Sequence, residues 1–149
     1  KDGESPMEHI EILENGYIVI SGNELMEVGQ GDVPSKLIKF TTTLVDAEGC
    51  VVTPGLIDSH THLVHGGSRD NEFLDKIQGV PYLEILDNGG GILSSVRATR
   101  AFSEEELLDK AKKSLRKMLS FGVTTVESTR GYGLDTETEL KQLKVNERL

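Results

Sequence analysis

The sequence predicts an α/β protein in which parallel βα units follow a small β-rich module. Three observations carry that reading. Before Thr53 the chain runs in short β-branched stretches separated by glycine and asparagine turns. After Pro54-Gly55 it alternates apolar strand-like runs with helical periodicity. Two helix-start patterns, S-x-x-E at Ser103 and T-x-x-E at Thr136, each precede a long helical stretch.

In chain order, Tyr17 to Ile20 reads as a strand, Ser21-Gly22-Asn23 as a turn and Glu24 to Val28 as its hairpin partner. Gly29 to Pro34 is loop. Ile38 to Asp46 and Val51 to Thr53 are expected to be strands flanking the turn Ala47-Glu48-Gly49. Pro54 closes this module, because proline sits badly inside a central strand. Leu56 to Val64 is the first strand of the second region. Tyr82 to Leu86 and Ile92 to Arg100 are helical pieces separated by Gly89-Gly90-Gly91. The helix over 103–120 repeats Leu107, Leu108, Ala111, Leu115, Met118 and Leu119 at helical spacing, with acidic residues at its start and basic ones toward its end. Gly122 breaks it, Val123 to Glu127 is a strand, and Thr136 to Leu149 is the last helix. The expected domains are therefore 1–53 and 54–149.

Composition excludes several function classes. The 149 residues carry 16 Lys and Arg against 25 Asp and Glu, a formal charge of −9, which disfavours binding to phosphate backbones. No apolar run reaches the roughly 20 residues of a membrane span. One cysteine, Cys50, excludes an intrachain disulfide framework and is expected to be a small buried apolar residue. The start Lys1-Asp2-Gly3-Glu4-Ser5-Pro6 has no apolar targeting segment, so a cytoplasmic location is expected.

The sharpest chemical feature is Asp58-Ser59-His60-Thr61-His62. Along a strand Asp58, His60 and His62 face the same way, so two imidazoles can grip one metal ion while Asp58 orients a histidine or forms a buried pair. The bland alternative is a chance H-x-H. Placement at a strand end, before a glycine-rich loop carrying Arg69, favours a site, because βα folds build sites there. His65 and His9 are poor third ligands by position. Ser114 to Lys117 matches S-x-x-K without its companion motifs, and no nucleophile elbow, phosphate loop or H-E-x-x-H occurs.

The run Val52 to His62 resembles the first barrel strand of the amidohydrolase superfamily. His62-Leu63-Val64-His65-Gly66-Gly67-Ser68-Arg69, Gly79 to Leu86, Gly89 to Ser94 and Gly131-Tyr132-Gly133-Leu134-Asp135, in that order, resemble its imidazolonepropionase family over nearly the whole chain. The resemblance implies a (β/α)₈ TIM barrel preceded by part of a small β-sandwich built from both chain ends. About the first two βα units of the barrel would lie in 54–149. It implies metal-dependent hydrolysis of a cyclic amide, 4-imidazolone-5-propanoate to N-formimidoyl-glutamate, in histidine degradation. His60 and His62 match metal ligands, Arg69 a residue that binds the substrate carboxylate, and Tyr132 a substrate-contacting tyrosine. The implied cofactor is one zinc or iron ion. The implied partner is a small-molecule substrate, with no nucleic acid or membrane, and the intact parent is compatible with a homodimer. The family's catalytic residues and remaining ligands lie on later strands, so none is expected in this chain and the isolated chain is expected to be inactive. One departure stands out: Glu127-Ser128-Thr129-Arg130 replaces the family's Glu-Val-Lys-Ser, so Thr129 stands where that lysine would be. The alternatives are another cyclic amidohydrolase, or a non-catalytic module.

Overall fold

The computed structural model describes residues 10–39 and 43–149. They fall into two units that divide between Thr53 and Pro54.

The first unit holds one antiparallel hairpin, β1 (Gly16–Ser21) and β2 (Glu24–Gln30). Ser21 pairs with Glu24, and Gly22 supplies the positive φ of 60° that the tight connection needs. The Tyr17 ring lies over Gly29 on the opposite strand, where a Cβ would come within 2.4 Å of it. The Tyr17 hydroxyl donates to Glu27 Oε1 at 2.7 Å, which raises the phenol pKa above its usual value.

Three expectations fail in this unit. Ile38 ends a short helix, α1 (Ser35–Ile38), instead of opening a strand. Pro34 starts that turn, since its fixed φ suits the position before a helix. Of the expected strand, residues 40–42 lie outside the described residues and 43–46 are irregular. Val51 to Thr53 is irregular too. A strand needs a partner, and no strand pairs with these stretches among the described residues. Leu44, Val45 and Val51 are accordingly exposed. Cys50 is exposed as well, at the close of a turn whose Cys50 N–H donates to the Ala47 carbonyl at 2.8 Å. The expected turn at Ala47 to Gly49 is present.

The second unit is a mixed α/β arrangement. β3 (Leu56–Thr61) pairs in parallel with β4 (Val123–Ser128). Parallel strands require a crossover, here made by α2 (Glu72–Ile77), α3 (Tyr82–Asp87), α4 (Gly91–Ala101) and α5 (Glu104–Ser120). α6 (Thr136–Glu147) follows β4. α2 has no counterpart among the elements expected from sequence; its apolar residues Phe73, Leu74 and Ile77 are all exposed.

The expected strand to Val64 ends at Thr61. The Thr61 carbonyl takes the Thr129 N–H at 2.9 Å, and the chain then turns inward. Leu63 and Val64 enter the core with Leu107, Leu108 and Ala111 of α5 and Val145 of α6, flanked by Phe102, Leu115 and Met118. The buried Val64 carbonyl is satisfied by Gln142 Nε2 at 2.6 Å instead of by a strand.

Both long helices are capped by side chains. Ser103 Oγ accepts from Glu106 N while the Glu106 carboxylate accepts from Ser103 N, the expected reciprocal box. α6 differs: Asp135 caps it by accepting from Thr138 N at 2.7 Å, and Thr136 is its first helical residue. Aspartate caps at least as well as threonine and stands one position earlier.

Candidate metal and substrate site

The side chains singled out at the end of β3 come together with the loop after β4, all within the second unit. His60 is exposed near the end of β3, and His62 is half-buried just beyond it. Their ring centroids lie 5.7 Å apart, nearly perpendicular. Tyr132, on the loop after β4, lies 4.7 Å from the His62 ring and 5.7 Å from the His65 ring. Gly131 permits this approach, since a Cβ there would meet His62 Cε1 at 3.4 Å and its φ is 139°.

Hydrogen bonds fix the histidines unequally. Asp58 accepts from the His60 backbone N–H at 3.2 Å, so it braces the strand end and not an imidazole. His65 Nδ1–H donates to the His62 carbonyl at 2.8 Å, a bond that leaves its other ring nitrogen as an acceptor when neutral. His62 Nδ1 is buried and has no hydrogen-bond partner. Burial is the main cause that lowers the His65 pKa below the usual imidazole value. Lys110, His62 and Arg69 nearby lower it further, against the raising effect of the bond to the His62 carbonyl.

The loop between His62 and Arg69 is seated from below. Gly66 packs directly on α4, its N–H donating to Thr99 Oγ1 at 2.9 Å. Lys110 of α5 donates to the carbonyls of His65 at 3.1 Å and Gly67 at 2.5 Å, and burial lowers its own pKa. Arg69 is half-buried beyond this loop, near enough for its charge to act on His65. The structure therefore gathers His60, His62 and Tyr132, with Arg69 on the adjoining loop.

Arg130, next to the missing lysine position, pairs with Glu139 of α6 at 3.4 Å. Thr129 donates to Glu127 Oε1 at 2.5 Å. An open groove of about 480 Å³ runs beside them, lined by Glu127, Thr129, Arg130, Gly131, Glu139 and Leu143, without the histidines. Among the described residues no three His, Cys, Asp or Glu side chains form a metal-binding group. Sequence reasoning set His65 aside and missed Lys110; a lysine at the start of a charged helix face gives no signal that it will fold under a loop.

A model of the amidohydrolase family matches residues 43–81, the stretch that contains His60, His62 and Arg69. The chain is 58% identical to an imidazolonepropionase of Fusobacterium nucleatum over 149 residues, 99% of this chain and 36% of that protein. The chain is imidazolonepropionase-like. It is likewise 56% identical to an imidazolonepropionase of Alkaliphilus metalliredigens over 96% of this chain and 34% of that one. For the Streptococcus gordonii imidazolonepropionase the figures are 55%, 93% and 33%. The imidazolonepropionase-like chain thus spans about a third of the length of the curated relatives it matches. Its similarity covers both the histidine pair and the Tyr132 loop. Among its described residues no helix is long and apolar enough to cross a membrane.

Proposed function

We propose that this chain is the N-terminal portion of a cytoplasmic, metal-dependent cyclic amidohydrolase that converts 4-imidazolone-5-propanoate and water to N-formimidoyl-glutamate in histidine degradation. The observation that carries the reading is the convergence of His60, His62 and Tyr132 at one strand end, inside an imidazolonepropionase-like sequence. In this reading residues 1–53 contribute to a composite β-sandwich and residues 54–149 begin a (β/α)₈ barrel. The parallel β3–β4 pair and its helical crossover support the barrel.

The residues fit a metal ion. Two imidazoles converge, and the orphaned His62 Nδ1 is a buried polar atom of the kind a metal-site histidine uses to bind or to be oriented. His60 and His62 would hold zinc or iron, both of which suit imidazole. Such an ion, when bound, supplies a water of lowered pKa and polarises a carbonyl. The remaining roles belong to the chain's side chains. Arg69 would bind the propanoate carboxylate by paired N–H donors. Tyr132 would pack its ring against the substrate and offer its hydroxyl, while its other contacts, to His62 and His65, fix its position.

The test is turnover by the intact, metal-loaded protein. Imidazolone-propanoate should be consumed with ring opening, and a hydantoin should be a poor substrate. A folded, metal-loaded protein that opens the hydantoin and leaves imidazolone-propanoate untouched would overturn the substrate assignment. Thr129 in place of the family's lysine makes that competition informative.

A further inference from the structure

The geometry points to Glu139 as a positioning residue that sets Tyr132 against His62, a role that rests on the reading of Tyr132 as a substrate contact. The T-x-x-E pattern suggested a helix cap for Glu139. Asp135 does that capping, and the Glu139 carboxylate reaches back over the loop. Its Oε1 accepts from Gly133 N at 2.8 Å and from Leu134 N at 3.0 Å. On the other side Arg100 of α4 donates from Nε to the Gly133 carbonyl at 2.8 Å, and the same nitrogen lies 2.8 Å from Asp135 Oδ2. The residue directly after Tyr132 is therefore gripped at its N–H by an anion from α6 and at its C=O by a cation from α4.

The grip leaves no slack. Gly133 is buried, and a Cβ on it would lie 2.8 Å from Glu139 Oε1 and 2.9 Å from Glu139 N. Leu134 holds a φ of 57°, a left-handed conformation that a leucine adopts only when its surroundings impose it. Two N–H groups converging on one carboxylate oxygen supply that constraint. Arg130 Nε lies 3.4 Å from Glu139 Oε2 as an ion pair, and that oxygen accepts no hydrogen bond, so the grip rests on Oε1. Tyr132 is thus delivered to a fixed place, 4.7 Å from the His62 ring.

The test reads the loop without substrate, by NMR on the intact protein. Tyr132→Leu defines the His62 ring-proton shifts in the absence of the tyrosine ring. Glu139→Ala should move those shifts most of the way to the Tyr132→Leu positions, while Glu139→Gln, which keeps an acceptor oxygen, should stay close to wild type. His62 shifts unmoved by Glu139→Ala would overturn the proposal. Should that variant fail to fold, amide exchange in the unsubstituted protein decides: Gly133 and Leu134 should be strongly protected, and free exchange would overturn the grip. In the intact protein Glu139→Ala should raise KM by about tenfold with little change in kcat, the scale of one lost hydrogen-bonded contact. That effect should vanish in a Tyr132→Leu background, whereas additive losses would mark a general stability role and overturn the positioning. Moved His62 shifts with an unchanged KM would overturn the substrate role of Tyr132 and uphold the grip, so the two failures are distinguishable.

Discussion

At the scale of single residues, Gly66 governs how closely the site loop approaches its support. A Cβ there would lie 2.5 Å from the Ala98 carbonyl carbon and oxygen and 2.7 Å from Thr99 N, all of them backbone atoms of α4. Neither the loop nor the helix can yield cheaply, because Lys110 holds the carbonyls on either side of Gly66. Gly66→Ala is therefore expected to destabilise the fold by about 1–3 kcal/mol, as overpacking does, measured by urea denaturation. Legibility at this scale was uneven. His60, His62, Arg69 and Tyr132 stood out because the motif order marked them. Asp58 was misjudged, since a carboxylate two positions before a histidine can brace either its ring or its backbone, and only geometry decides. Cys50 was misjudged because burial depends on what covers a turn, which the turn's own residues do not encode.

At the scale of elements, α5 shows how periodicity maps onto packing. Leu107 is fully buried while Leu119, at the far end of the same apolar series, is 61% exposed. Leu107→Ala should cost about 2–5 kcal/mol through a core cavity. Leu119→Ala should stay within about 1 kcal/mol, and equal losses in the two variants would contradict this packing. The caps add a pH dependence. Bonds from the Ser103 backbone and hydroxyl lower the Glu106 pKa, and bonds from Thr138 lower that of Asp135. Folded values below the unfolded ones mean that the unfolded chain binds protons first as pH falls. Their stabilisation is therefore complete above the usual carboxylate range of about 4 and is lost as pH drops through the lowered values. Urea midpoints measured down through this range should fall, and Ser103→Ala should make the decline shallower. The strands and helices of the second unit were legible because each carries its own period or cap. The missed α2 is short and buries no apolar side chain, so it leaves no amphipathic signature. The stretches at 43–46 and 51–53 looked like strands because they are apolar and β-branched, yet pairing is a property of a neighbour and not of the run itself.

At the scale of the whole molecule, the second unit exposes much of its sheet: Leu56 is 54% and Ile57 70% exposed on β3. That exposure, with a chain about a third as long as its relatives, fits the proposal that the 149 residues work as part of a larger hydrolase. The isolated chain is expected to show no hydrolysis of imidazolone-propanoate, and steady turnover by it would refute the proposed division of the site. The measurement that bears most directly on the account is the metal content of the purified intact protein carrying His60→Ala and His62→Ala together. The account predicts that the unsubstituted protein holds about one zinc or iron per chain and that the double variant, still folded, loses that ion and its turnover. A double variant that keeps full metal and wild-type turnover would contradict it.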